Sequence, residues 1–433
     1  MRKATRRQTL KRLGVGASAG IAGLAGCSRT NDGGSNGSGG SGGSDGTGTA
    51  GTTVGSTGPM EINLGVFAPQ SGAFAPWGPA IKTGTRLAKQ DLESDLDVSL
   101  SLNFYDTQTD PSAALEAMKR AVTADGIDFA QGGLSSAVCA KIGTWASDNS
   151  VSYIGQGASD SLTGSACQPY MYSVYQSNTM MASAAAPDMA EIADKWYLLY
   201  ADYTWGQTAQ KVISKRLKDN GAEVVGKDAT PFPNDDYTSY LNNVANSEAN
   251  GLALVIPGTD ATLATKQMMN KGMTDLKLMV HQLEDMVFWG LSKKATSLVD
   301  VSPMGWVNSI DAGADFKQRV VEQGEIDPFV RHVMSYTAAD QQVRAAVRAG
   351  SSKADAIRGE LEGHKVDSPV TDIHPGNLTW RACDHQLVQP VYTAQGRAVE
   401  NMQDEPYKAW FEVLSKFEGS KVARGCSASA CDL

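Results

Sequence analysis

Residues 62–91 read INLGVFAPQSGAFAPWGPAIKTGTRLAKQD, and the period of their apolar positions changes part-way. Ile62, Leu64 and Val66 alternate as in a strand, whereas Ile81, Gly84, Leu87 and Ala88 recur at helical spacing. Between them lies a loop containing Ser71, Gly72, Phe74, Trp77 and Gly78. The order is strand, loop, helix. In an open α/β sheet the loops at the carboxyl ends of strands bind ligands, and a helix start offers unpaired N–H groups to an anion. Ser71 and Gly72 are therefore ligand candidates, set against the plainer reading of a connection that uses Ser and Gly because it must turn.

The same unit recurs along the chain. Val98, Leu100, Leu102 and Phe104 alternate with Ser99, Ser101 and Asn103, a strand with one buried face. Asp110 and Pro111 open a helix on which Ala114, Ala117, Met118 and Ala121 share a face. A strand over residues 126–130 ends at Gln131-Gly132-Gly133-Leu134-Ser135-Ser136. Ser135 or Ser136 either caps the next helix or offers hydroxyl and N–H groups to a carboxylate. Residues 151–154 form another strand, followed by Gly157, Ala158 and Ser159.

The pattern restarts at residues 196–200, and residues 251–258 echo residues 126–133, each an apolar run between glycines with a polar loop after it. Thr259 and Asp260 stand where residues 134–136 stood. The strand over residues 276–280 ends at His281-Gln282-Leu283-Glu284-Asp285. Residues 301–310 read as a return to the first half, and residues 378–392 as strands going back to the second. Two such lobes, with polar strand ends facing one another, make a cleft; a solute held there stabilises the closed arrangement.

A chain of 433 residues, 41% hydrophobic, buries a substantial core. Its net charge of -9 includes six basic residues, Arg2, Lys3, Arg6, Arg7, Lys11 and Arg12, in a first segment without acids. A chain starting at Cys27 carries -15. Such a surface repels nucleic acid, and no basic stripe reverses it. Acidity suits a high-salt habitat, although 20% charged residues is an ordinary fraction.

Thr5-Arg6-Arg7-Gln8-Thr9-Leu10-Lys11 resembles a twin-arginine export signal, with Thr9 in place of the usual Phe. A weakly apolar run follows, and Leu24-Ala25-Gly26-Cys27 resembles a lipobox whose Cys is lipidated. Residues 1–26 are thus expected to be a lipoprotein signal peptide, and residues 27–60 a lipidated Cys27 with a Gly/Ser/Thr-rich tether reaching roughly 30 Å. The expected location is the outer face of the cytoplasmic membrane, with the lipid anchor as the sole membrane contact.

Export permits disulfides. Cys139 with Cys167 is one pairing, with Cys426–Cys431 closing a short terminal loop and Cys383 left free. Cys383 with a C-terminal Cys is the competing arrangement. The five histidines show no HxxxH or HExxH spacing. No metal and no cofactor is expected.

INLGVFAPQSGAFAPWG, the YDTQTDPSAALEA run from Tyr105, the ADYTWGQTA run from Ala201 and RACDHQLVQPVY from Arg381 together resemble type I solute-binding proteins of ABC importers. The resemblance is specifically to the branched-chain amino acid (Leu/Ile/Val-binding-like) family and its relatives for amides and aromatic acids. The resemblance covers residues 61–417. It implies an α/β, two-lobed type I periplasmic-binding-protein fold, each lobe a mostly parallel sheet flanked by helices. Three crossovers near residues 178, 306 and 375 would divide lobe 1 (61–178 and 306–375) from lobe 2 (179–305 and 376–417), leaving a tail over 418–433.

The resemblance also implies a site. Ser136 would hold a ligand carboxylate with Gly157 and Ser159, bordered by residues 71–74. Trp205 falls where many members have Tyr and would cover an apolar group or stack on a ring. Amino-acid binders place an acid against the ligand ammonium; here Gln282 takes that position, with Glu284, Asp285 and Asp260 as alternatives. An amide or aromatic carboxylate fits better if none of these acids points inward. The implied partners are a small-molecule solute and the permease and ATPase subunits of an importer, with the receptor a monomer. No Walker A, G-x-S-x-G or metal-ligand spacing argues for an enzyme. A sensor module on the same fold is the alternative role.

Overall fold

Strand β1 (Met60–Ala68) is buried on both faces over most of its length, because helices cover both sides of its sheet. The computed structural model describes residues 58–324 and 326–433; the export signal, Cys27 and nearly all of the tether lie outside the described residues. Beside β1 run β2 (Val98–Asp106), β3 (Phe129–Gly132), β4 (Tyr153–Gly155) and β5 (Met171–Ser173) in the order β2-β1-β3-β4-β5, all parallel. The helix Gly78–Asp95 buries Ile81, Gly84, Leu87 and Ala88, the face that the opening stretch sets out. Gly84 is there for closeness: a Cβ would lie 2.2 Å from the His332 carbonyl oxygen of the helix Val330–Ala349. Asp110 caps the helix Pro111–Thr123, accepting from the Ser112 and Ala113 amides.

The second sheet comprises β6 (Lys195–Ala201), β7 (Glu223–Thr230), β8 (Gly251–Val255), β9 (Lys277–Val280) and β10 (Val299–Met304), all parallel. The chain then returns to the first lobe, where the helix Val330–Ala349 packs on the helix Gly78–Asp95. A short hairpin, β11 (Thr379–Trp380) with β12 (Leu387–Val388), precedes β13 (Val391–Gly396) and β14 (Phe411–Phe417), which close the second sheet antiparallel in the order β14-β13-β10-β9-β8-β6-β7.

Residues 378–392 do not all go back to the second lobe. Gln386 bridges to Ser173 of the first sheet, and the rings of Trp380 and His385 pack on Tyr172 at 5.8 and 4.2 Å between centroids. The third crossing therefore falls at Gln389 and Pro390, whose carbonyl Gln176 holds from the first crossing at 2.7 Å. Alternation of apolar residues marks strands but does not say which sheet edge receives them.

The cysteines pair as Cys167–Cys431 and Cys383–Cys426, with Cα separations of 5.6 and 5.9 Å. The pairings Cys139–Cys167 and Cys426–Cys431 are not formed. Cys139 is free and buried, its thiol directed at the Gly133 carbonyl oxygen 2.8 Å away. What sequence spacing hides is the path of the tail. After β14 it runs over the third crossing, where Gly419 lies against the Gln389 backbone, and reaches the first lobe. There Arg424 donates to the Asp160 carbonyl and Thr163 hydroxyl, and Arg381 donates to the Arg424 carbonyl. Among the described residues no helix is long and apolar enough to cross a membrane.

Candidate functional site

The carboxyl ends of the parallel strands of both sheets meet at one cavity of about 40 Å³. Its first-lobe wall comes from the loop after β1, which supplies Phe74 and Trp77, and from Leu134, Ser136 and Ala158 after β3 and β4. Tyr203 and Trp205 after β6, Pro257 and Gly258 after β8, and Gln282, Glu284 and Val287 after β9 form the second-lobe wall. Arg331, in the first turn of the helix Val330–Ala349, completes it.

The lobes touch across this cavity. Trp77 donates its indole N–H to Glu284 Oε2 at 2.5 Å, and its ring lies against Gly258, where a Cβ would come within 2.8 Å of the tryptophan. Phe74 meets Phe232 at 5.3 Å between centroids, and Phe232 stacks with Tyr203 at 5.2 Å. The wall is aromatic.

Its polar centre is a buried ion pair between lobes. Arg331 places Nη2 2.6 Å and Nε 2.8 Å from Glu284 Oε1, both side chains being at most 5% exposed. Arg331 Nη1 also donates to the Gln156 carbonyl at 2.7 Å, and its guanidinium lies over the Tyr175 ring at 4.2 Å. The Tyr175 hydroxyl donates to Glu284 Oε1 at 3.3 Å. Burial opposes the charge of Arg331 and is the largest single influence on it, but the attraction and hydrogen bond of Glu284, together with the Tyr175 and Cys139 groups, more than offset it and raise the guanidinium pKa. Burial, and then Glu284, hold the Tyr175 phenol well above its ordinary range.

Of the residues singled out from sequence, Phe74, Ser136, Trp205, Gln282 and Glu284 line the cavity. Trp205 donates to Gln282 Oε1 at 2.6 Å, and Gln282 holds a left-handed backbone with φ of 53°. Ser71 and Gly72 are exposed and do not line it. The Ser71 hydroxyl is taken by Asp106 at 2.7 Å, and Gly72 makes the turn, its φ of 81° bringing it against the Gln108 carbonyl. Ser135 sits at the N-cap of the helix Ser136–Asp148 with no side-chain capping bond. Gly157 and Ser159 lie just behind the wall: Gly157 allows the approach of Ser136, and Ser159 donates its amide to Ser136 Oγ at 3.1 Å.

Thr259 is exposed, and neither it nor Asp260 lines the cavity. The Asp260 carboxylate is turned away to the Asn234 amide and the Tyr237 hydroxyl at 2.7 and 3.1 Å. Asp285 is fully buried and does not line the cavity, and among the described residues neither carboxyl oxygen has a hydrogen-bond partner. Sequence reasoning passed over Trp77 and Arg331. The available signal for Arg331 was a lone cation inside the apolar run Phe329-Val330-Arg331-His332-Val333-Met334, a position where a charge needs a buried partner.

A family model described as periplasmic binding protein matches residues 61–401. The chain belongs to the periplasmic binding protein family. No curated protein matches it. Among solved structures it is similar to the amino acid ABC transporter substrate-binding protein from Pseudomonas fluorescens Pf-5, with 20% identity, 87% of this chain and 100% of that one covered, and a TM-score of 0.78. A branched chain amino acid ABC transporter periplasmic ligand-binding protein from Burkholderia xenovorans LB400 follows, with 20% identity, 86% and 99% coverage and a TM-score of 0.75. A solute binding protein from R. palustris in complex with benzoate has 19% identity, 86% and 100% coverage and a TM-score of 0.73. At these identities the structures agree on the fold.

In this periplasmic binding protein, burial raises the Asp285 pKa to about 8. The folded form therefore keeps a proton that the unfolded chain releases near its ordinary value of about 4. The stabilising contribution is complete below that lower value and is lost as pH rises through the folded one. Asp285→Asn keeps the shape and removes the titration. The variant is expected to gain on the wild type by on the order of 1 kcal/mol per pH unit between about pH 5 and 7.5. Denaturant unfolding of both proteins across that range checks it, and a constant difference would contradict a protonated Asp285.

Proposed function

We propose that the chain is an exported solute receptor that captures one small organic molecule between its lobes and hands it to the permease and ATPase subunits of an ABC importer. The best-supported solute is an amino acid with an apolar or aromatic side chain. The observation that carries this reading is the interlobe cavity itself, where an aromatic wall surrounds one cationic and one anionic group. The wall suits an apolar body, Arg331 and Ser136 suit a carboxylate, and Glu284 suits an ammonium.

Capture by closure follows from the contacts across the cleft, since a solute bound there touches both lobes and favours their approach. The two amino-acid-transporter structures above support the amino-acid reading by their likeness. An aromatic carboxylate is the second reading, favoured by the Phe74, Tyr203 and Phe232 ring contacts and by the structure that holds benzoate. The twin-arginine motif and lipobox support export and a lipid anchor at Cys27, and the folded part is proposed to act as a monomer.

A thermal-shift screen of amino acids, amides, aromatic acids and sugars tests this. An amino acid at about a hundred times its Kd is expected to add roughly 2.7 kcal/mol of stability and raise the midpoint. A shift from sugars alone would contradict the reading.

A further inference from the structure

We infer that the Arg331–Glu284 pair sorts solutes by net charge, making the cleft accept a molecule that carries one positive and one negative group and reject its monoanionic counterpart. The inference rests on the solute-receptor reading and deepens it.

Two observations lead there. Arg331 and Glu284 are the charged members of the cavity wall, so the wall as a whole is neutral. The cavity of about 40 Å³ is also far below the roughly 300 Å³ at the low end of small-molecule pockets. A solute can enter only by moving the lobes apart, and Arg331 and Glu284 stand on opposite lobes. Entry therefore divides the pair.

Once divided, each buried charge needs a new partner, because an unpaired ion in a dry site is costly. A zwitterion supplies both: its carboxylate meets Arg331 and its ammonium meets Glu284. A monocarboxylate supplies one and leaves Glu284 without its cation, so the closed cleft holds a net negative charge. The remaining donors to Glu284, the Trp77 indole and the Tyr175 hydroxyl at 2.5 and 3.3 Å, are neutral and do not cancel that charge. The Gln156 carbonyl that holds Arg331 belongs to the first lobe, whereas Trp77 reaches Glu284 from across the cleft. Arg331 thus stays in place as the lobes part, while Glu284 moves with the second lobe.

Calorimetric titration of the full chain with leucine and phenylalanine, and with their des-amino counterparts 4-methylpentanoate and 3-phenylpropanoate, tests the inference. The better-binding amino acid is expected to exceed its counterpart by about a hundredfold. In Glu284→Gln that ratio should fall by at least about tenfold while the monocarboxylate gains affinity, since Arg331 then stands alone. A monocarboxylate that binds the wild type as tightly as its amino acid overturns the inference and leaves the receptor reading standing. If none of the four probes binds, the inference is overturned, and the thermal-shift screen decides the receptor reading separately. Should Glu284→Gln fail to fold, the wild-type ratio alone decides.

Discussion

Arg331→Met is expected to lower folding stability by about 3–5 kcal/mol, the usual cost of removing one partner of a buried ion pair. The loss comes less from the vanished attraction than from what it leaves behind. Glu284 is buried, and in the variant its carboxylate keeps only the Trp77 and Tyr175 donors. The full charge then lies in an aromatic wall with no cation to offset it. Combining Arg331→Met with Glu284→Gln removes both charges and is expected to recover most of the loss, since replacing a whole buried pair is often neutral or even stabilising. Denaturant midpoints for the wild type, both single variants and the double variant measure the coupling. Losses that simply add would show that the two side chains do not act as a pair. The same cycle separates stability from selectivity: the double variant should fold well yet no longer favour a zwitterion.

The second large effect lies in the tail. Replacing Cys426 and Cys431 together by Ser is expected to cost about 2–5 kcal/mol for each bridge lost. The bridges span sequence separations of 43 and 264 residues, and the longer one ties the last residues of the chain to the first lobe. Cross-links restrict the unfolded chain most when the loop they close is long, although the two overlap here and their effects will not simply add. The tail should also detach locally, because Arg424 and its carbonyl contacts are then its main hold on the first lobe. Limited proteolysis within residues 418–433 and the unfolding midpoint read these two effects separately. An unchanged midpoint and a tail still resistant to protease would show that the polar contacts suffice.

Much of the architecture was legible because period is local. The alternation at Ile62, Leu64 and Val66, the Asp110-Pro111 helix start and the repeat of residues 126–133 at 251–258 each depend on neighbours a few positions away. The cleft was legible more coarsely, as a meeting of strand ends. Within it, Ser136 came through from its loop after a strand, whereas Phe74, Trp205, Gln282 and Glu284 came through from the family resemblance. Arg331 did not, since it enters from a helix that joins the first lobe after the chain has visited the second. Asp260 and Glu284 look alike in sequence, both being acids just beyond a strand, yet one turns to Tyr237 and the other into the cleft. Only the packing of distant segments separates them, and the same is true of the cysteines: the tail's route over the third crossing brings Cys431 to Cys167.

Gly258 offers a solute no functional group, yet the ring of Trp77 rests on it across the cleft. Any side chain there would act as a doorstop, halting closure while the gap was still open to water. How long a captured molecule stays inside is thus expected to depend partly on the absence of one methyl group, at a position that a list of ligand contacts would pass over.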